Sequence, residues 1–496
     1  MAGKTEENQA GLTVSKEKDF SEWYTQVVQK AELADIRYGV QGFIVHMPWG
    51  FRILRRIYEY FEEEVEKDGH QPFLFPLVIK KESLEKEKEH AGFAPDVFWV
   101  TRAGDRKLEE EVALRPTGET QIYPLYSLWI RSYQDLPYKG YQSRICTYRN
   151  EKTTRPFLRG REFMFFETHD AFAAHDEAIE QIRKDSEMSL RVLYQRCKIP
   201  FLFFKRPQWD KFKGADDTFT SDTMMPDGKR NQLSSTHDLG QNFAKAYEIK
   251  FHDANSGESY AWQTCYGPGI WRTMAALIGI HGDDKGLVLP FDLAPVQVVI
   301  VPIIFADKKS EAKNVLELCK KIEKQLKSRG YRALVDASNE TPGFKYNKWE
   351  LKGVPLRIEI GPKEVKKSSI CLSFRTRKEK KDVPAKGMEK EISNAAQTID
   401  KDIQKRADAY FKDNTRYTES YDELKSLLKK YRGFIKTPFC SVDDDGEPCA
   451  DKLKEETEGA YVCGTIYPKE EKLKDGQKCV VCHKKANHLV HVAKSY

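Results

Sequence analysis

Hydrophobic and polar positions switch between two periods along this chain, and each switch marks an element. Residues 50–69, GFRILRRIYEYFEEEVEKDG, set Ile53, Ile57, Tyr60, Phe61 and Val65 near helical spacing, with Gly69 as a stop. PFLFPLVI at 72–79 is almost wholly apolar and predicts a buried strand. Residues 176–197 predict a second amphipathic helix. From 200 to 265 the pattern is of strands and turns, with two strands around Asn255–Ser256–Gly257. WRTMAALIGIHG (271–282) predicts a buried helix. The texture changes near Pro290. VQVVIVPI (296–303) reads as a buried strand, followed by a helix striped by Val315, Leu318, Ile322 and Leu326 and closed by Gly330. RALVDA, PLRIEIG and SSICLSFR read as further strands, so this β-α-β-rich block forms its own α/β domain. RTRKEKKDVPAKGMEKE predicts a hairpin or a solvated turn, and 394–430 predicts helix. No internal repeat is visible.

One stretch fits neither period cleanly. YRNEKTTRPFLRGREFMFFETHD (148–170) interleaves Arg149, Arg155, Arg159 and Arg161 with Glu151, Glu162, Glu167 and three phenylalanines. Arg161, Phe163 and Phe165 alternate with Glu162, Met164 and Phe166, which argues for a strand. KTTRP reads as a turn. The segment therefore predicts an antiparallel hairpin with a basic loop, offering guanidinium forks to an anion and ring faces to something flat. The plain alternative is a surface strand pair with salt bridges of little energetic value.

Composition narrows the picture. A chain of 496 residues exceeds a single core and implies two to four domains. No run approaches the roughly 20 apolar residues of a membrane-spanning helix, so no membrane role is expected. The first residues, MAGKTEENQAGLTVSKEKD, lack the apolar core of a signal peptide and read as a short disordered lead. Ten cysteines without a secretory signal point to a reducing, cytoplasmic setting, where thiols or metal ligands outnumber disulfides. The net charge of +6 is mild with 32% charged residues, so a polyanionic partner must be argued from local features.

Further local features point that way. LRPTGET (114–120) sets an arginine, a proline turn and Glu119 near Thr117. In YGPGIWRTMAALIGIHGDDKGLVLP (266–290), Arg272 opens an otherwise apolar helix, where an unpaired charge is costly unless it faces a cleft. Cys440, Cys449, Cys479 and Cys482 form a C-x8-C…C-x2-C set. The second pair has metal-ligand spacing and the first is loose. Cys463, His483, His488 and His491 are spare candidates.

Taken together, these segments resemble the three signature motifs of the class II aminoacyl-tRNA synthetases. The helix and strand ending at Pro76 look like motif 1, Tyr148 to His169 like motif 2, and Gly267 to Pro290 like motif 3. LEKEKEHAGFAPDVFWVT, RPTGET, PFLRGREF, STHDLGQNF, HGDDKGLVLP and KWELKGVPLRIEIGP resemble most closely the prolyl-tRNA synthetase family of archaeal/eukaryotic type, from about Trp23 to the C-terminus. The resemblance implies an α/β (α+β) fold. A class II antiparallel-sheet catalytic domain (19–292) would follow the lead (1–18) and precede an α/β anticodon-binding domain (293–400). A small C-terminal α/β zinc-binding-like domain (401–496) would close the chain.

The resemblance also assigns roles. Arg149 should meet the α-phosphate of ATP and the amino-acid carboxylate, and Arg159 the γ-phosphate. Phe163 and Arg272 should sandwich adenine, Glu151 should read the base edge, and Gln232 and Ser235 should touch nucleotide and ribose. Mg²⁺ should bridge the phosphates. Thr117, Glu119, Arg149, Phe165, His169, Phe212 and His237 should hold L-proline, with Arg149 and Arg272 carrying the chemistry. Read from the residues alone, His169 and His237 suit satisfied core histidines better than ligand contacts. Glu350, Arg357 and Lys363 should read the anticodon of tRNA(Pro); Phe344 and Trp349 are expected to pack rather than stack. Some relatives hold a structural Zn²⁺ through four cysteines in the last domain, which favours Cys440, Cys449, Cys479 and Cys482. The C-terminal Tyr496 should tuck towards the active site, and the chain should form a homodimer.

The chain departs from the family at Gly118, where serine is expected, at Asn150 and Phe165, and by one extra residue before Arg272. Only fold-building elements are expected between His169 and Cys265, so no editing domain in cis is expected and weak activation of cysteine and alanine should follow. Two other readings remain: a synthetase of the same subclass for threonine, serine, glycine or histidine, and a non-catalytic RNA-binding regulator. The pocket residues argue against the first. The retained Arg149, Arg159 and Arg272 argue against the second.

Overall fold

The computed structural model describes residues 11–85, 96–254, 257–304, 309–430 and 433–496. The helix Pro48–Lys67 starts on a proline, whose missing N–H costs nothing in a first turn. It gives way to Gly69 at φ +91°, a conformation glycine adopts without strain. Its apolar stripe of Ile53, Ile57, Phe61 and Val65 is fully buried, in one core with Met274 and Ile278 of the 271–282 helix.

An eleven-stranded sheet spans the molecule. Its strands run in the order Thr415–Tyr417, Phe434–Phe439, His488–Ser495, Ala460–Ile466, Leu202–Lys205, Asp217–Met224, Lys229–Gly240, Trp262–Pro268, Glu162–Phe172, Tyr138–Tyr148 and Gln71–Pro72. The strands from Leu202 through Tyr148 pair antiparallel. The C-terminal strands extend this sheet directly. Thr465 and Ile466 pair antiparallel with Lys205 and Phe204, and Lys494 and Ser495 pair parallel with Lys229 and Arg230. A separate five-stranded sheet runs Ala333–Val335, Val298–Pro302, Leu356–Ile360, Ser369–Phe374, Lys380–Pro384, parallel for the first three strands and antiparallel after them. The helix Lys309–Ser328 buries Val315, Ile322 and Leu326 with it. The architecture is mixed α/β, as the sequence implies.

The hairpin forms as expected, Tyr138–Tyr148 against Glu162–Phe172, and the Lys380–Pro384 hairpin closes the second sheet. Three expectations need correction. PFLFPLVI is not a buried strand: only Gln71–Pro72 and Val78–Lys80 pair, and Leu74 is 81% exposed. Pro76, with no N–H to donate, lies between the two paired segments, and Phe73 stacks on Trp129 at 5.7 Å. The 394–430 region is not one helix. Met388–Asp413 ends before the strand Thr415–Tyr417, and Tyr421–Lys430 is a second helix. Phe344 does not pack; it stands 40% exposed, whereas Trp349 is buried and donates to Asp336 at 2.8 Å. No helix of the described residues is long and apolar enough to cross a membrane.

Candidate active site

Strand periodicity builds the site. Residues two apart on a strand share a face, so Phe163, Phe165, Glu167 and His169 line up along Glu162–Phe172. The opposite face sends Met164 and Phe166 into the core, Phe166 stacking on Tyr141 at 5.5 Å. Register then adds neighbours sideways. Cys265 pairs with both His169 and His237, and Gly267 pairs with Ser235. A side chain at Gly267 would meet the Phe165 ring at 3.4 Å, so glycine keeps this floor open.

Two adjoining cavities open on that floor. One, of about 340 Å³, is lined among others by Thr117, Glu119, Glu167, His169, Phe212 and His237. The other, of about 160 Å³, is lined among others by Glu151, Arg159, Phe163 and Arg272. Arg149, Phe165, Gln232, Ser235 and Gly267 belong to both. The residues expected to hold amino acid and nucleotide therefore fall into two compartments meeting at Arg149.

In the larger cavity, Thr117 donates to Glu119. Tyr123 Oη stands 2.9 Å from His169 Nδ1, and Glu167 Oε2 stands 3.1 Å from Nε2. Burial alone would depress the His169 pKa, but Glu167 and Glu119 carry it above the ordinary value. His237 is the opposite case: burial pushes it down to about 4, so it is neutral at pH 7. Thr218 Oγ1 accepts from the Phe212 N–H and lies 2.8 Å from His237 Nδ1. A hydroxyl carries one proton and two lone pairs, so Thr218 can hold His237 in either neutral tautomer. The Phe212 and His237 rings lie 4.8 Å apart.

The smaller cavity is cationic. Burial, then the charges of Arg149 and Arg159, lowers the Arg272 pKa to about 10, still protonated at pH 7. Glu151 is the single carboxylate among its lining residues, 3.7 Å from Arg159 Nη1. Arg159 Nη2 also donates to the Tyr496 carbonyl at 3.1 Å, and Tyr496 Oη donates to Asp227 at 2.7 Å. Tyr496 thus reaches the edge of the site.

Elsewhere, Arg357 donates to Glu350 at 3.1 Å and to Glu359 at 3.1 Å, and lies 3.9 Å over the Tyr346 ring. Lys363 is exposed near the start of the helix Pro362–Lys367 and pairs with neither Glu350 nor Arg357. The ligand atoms of Cys440, Cys449, Cys479 and Cys482 all lie within 4.8 Å of one another.

Sequence reasoning passed over Tyr123, Glu167, Thr218 and Cys265. Tyr123 lies one helical turn after Glu119, and Glu167 lies between Phe165 and His169 on the same face, so periodicity alone could have found both. Cys265 and Thr218 are placed by strand register, which no local pattern reveals.

An antiparallel sheet carrying an arginine-rich hairpin, with a helix-borne arginine lining the smaller cavity, defines a class II aminoacyl-tRNA synthetase. Family models agree: residues 98–281 match the tRNA synthetase class II core domain (G, H, P, S and T), 297–395 the anticodon binding domain, and 421–496 the prolyl-tRNA synthetase C-terminal domain. The proline–tRNA ligase of Thermofilum pendens is 52% identical over 99% of this chain and 100% of its own length. That of Pyrococcus abyssi is 40% identical over 97% and 98%. The Giardia lamblia prolyl-tRNA synthetase, solved with prolyl-adenylate, superposes with a TM-score of 0.93 at 33% identity, covering 98% of this chain and 100% of that one. The Cryptosporidium parvum enzyme, solved with halofuginone and AMPPNP, gives 0.91 at 33% identity, covering 99% and 98%. The chain belongs to the proline–tRNA ligase family.

Proposed function

We propose that the chain activates L-proline with ATP to prolyl-adenylate and pyrophosphate, then transfers the prolyl group to the 3′ end of tRNA(Pro). The observation that carries this reading is the pair of cavities meeting at Arg149. Proline in the larger cavity and ATP in the smaller bring carboxylate and α-phosphate together at one guanidinium. In-line attack then needs positioning and charge stabilisation, with no covalent enzyme group.

Glu119 accepts from the secondary ammonium of proline. Phe165 and Phe212 wall its apolar ring, with Thr117, His169 and His237 closing the pocket. Arg149 and Arg159 hold the α- and γ-phosphates. Phe163 and Arg272 enclose adenine, the arginine adding a cation–π attraction. Glu151 reads the base edge, and Gln232 and Ser235 contact nucleotide and ribose. Mg²⁺ would arrive with ATP as part of the substrate and offset phosphate charge. Arg149 and Arg272 act on the reacting charges.

Glu350, Arg357 and Lys363 meet the anticodon, Arg357 exchanging its present carboxylate partners for a base. A structural Zn²⁺ fits Cys440, Cys449, Cys479 and Cys482, whose soft thiolate donors converge in a set of four. A cytoplasmic homodimer is the expected form, and exposed apolar side chains including Leu74, Leu77, Val78, Leu128 and Trp129 support it.

Discrimination rests on the pocket alone if no editing occurs in cis. A missing methylene is worth about 1–3 kcal/mol, so cysteine and alanine should be activated weakly. Charging of a tRNA(Pro) transcript with labelled proline tests the reading; a folded enzyme that leaves the transcript uncharged refutes it.

A further inference from the structure

We propose that Arg206 is a positioning residue for the nucleotide site, fixing the side-chain amide of Gln232 so that its Nε2 faces the bound ligand as a donor. The proposal rests on the reading that Gln232 contacts ATP. Arg206 follows the strand Leu202–Lys205, is 3% exposed and lines the larger cavity. Its Nη2 donates to Asp222 Oδ2 at 2.9 Å and to Gln232 Oε1 at 3.4 Å. Its Nη1 donates to the Cys463 carbonyl at 3.1 Å. Arg230 Nη1 gives Asp222 a second contact at 3.2 Å. Asp210 Oδ2 lies 3.8 Å from Arg206 and 3.9 Å from Arg230.

A guanidinium donates and never accepts. Facing one, Gln232 must present its oxygen, which leaves the amide nitrogen for the other side. Gln232 lines both cavities. A donor at their junction suits the oxygens of the α-phosphate and the amino-acid carboxylate. The rigid fork is needed because Arg206 spans Asp222, Gln232 and Cys463 at once; a lysine ammonium keeps the charge but not the fixed geometry. Cys463 lies on Ala460–Ile466, so the C-terminal part of the chain braces this arginine from outside the site.

The test is a double-mutant cycle in proline-dependent ATP–pyrophosphate exchange on the full chain, with Arg206→Lys, Gln232→Ala and both. Arg206→Lys leaves Asp222 a cation, so the buried carboxylate keeps a partner. Each single change should lower kcat/KM for ATP about tenfold, the scale of one hydrogen bond to a charged group. The double change should lower it no further than Gln232→Ala alone, because the two act as one unit. Multiplying losses overturn the proposal, as does wild-type kinetics in Arg206→Lys. Wild-type kinetics in Gln232→Ala removes the nucleotide contact on which it rests, a failure seen separately. Should Arg206→Lys not fold, Gln232→Glu decides. It keeps an acceptor for Arg206 and has no donor, so activity as low as that of Gln232→Ala supports the relay and wild-type activity overturns it.

Discussion

The phenolic oxygen of Tyr123 stands 2.9 Å from Nδ1 of His169. With Glu167 Oε2 3.1 Å from Nε2, the ring lies between a phenol and a carboxylate in the larger cavity. Tyr123→Phe removes one hold from a buried group at a cost of about 1 kcal/mol or more. Proline KM should rise roughly fivefold with kcat little changed. Exchange kinetics at varied proline check this, and an unchanged KM would mean that Tyr123 only packs.

Gly118 is the departure from the family pattern with the clearest structural consequence. A Cβ at this position runs into the Glu167 carboxylate, which also accepts from Gln142 at 3.0 Å. Restoring the family's serine, Gly118→Ser, should therefore displace Glu167 and weaken proline binding rather than improve it. A KM for proline about five- to a hundredfold higher is expected, for the roughly 1–3 kcal/mol cost of over-packing a tight site. Serine tolerated without change would contradict this account of the pocket floor.

Much of this site was legible in the sequence because hairpin, helix and turn chemistry are local. Alternation in REFMFFETH places Phe163, Phe165, Glu167 and His169 on one face and Phe166 in the core, and the helix carrying Arg272 declares itself by its apolar run. What stayed hidden depends on partners distant in sequence. Cys265 meets His169 and His237 only through register, and Arg206 meets Cys463 across 257 residues. The run at 72–79 misled because composition cannot separate a buried strand from an apolar segment broken by prolines and left at the surface. The C-terminal strands' continuity with the main sheet had no sequence signal either.

The four-cysteine cluster predicts one zinc per chain. Metal binding to such sites is part of folding free energy. Chelation, or Cys479→Ser, should therefore lower the melting temperature. It should also weaken ATP binding, since Cys463 on Ala460–Ile466 and Tyr496, next after His488–Ser495, contact Arg206 and Arg159. Elemental analysis with a melting curve checks both. A metal-free protein of unchanged stability would refute it.

His281 predicts acid sensitivity. Its Nε2–H donates to the Cys197 carbonyl at 2.9 Å, and burial pushes its pKa down to about 3 from 6.5. Between these values the unfolded chain takes up a proton that the folded chain refuses. Stability is therefore full above pH 6.5 and is lost as pH falls towards 3. Relative to His281→Asn, the wild type should lose up to about 2 kcal/mol between pH 7 and pH 5. Denaturant melts of the two proteins at both pH values measure it, and a pH-independent difference would contradict the burial argument.

The central claim is that two cavities meeting at Arg149 bring proline to ATP. The most direct test is ATP–pyrophosphate exchange across all twenty amino acids, with Arg149→Ala as the blank. Exchange driven by proline, with weak cysteine and alanine and a loss of at least about a hundredfold in the blank, is the predicted result. Exchange driven by another amino acid, or none from a folded protein that still binds tRNA, would contradict it.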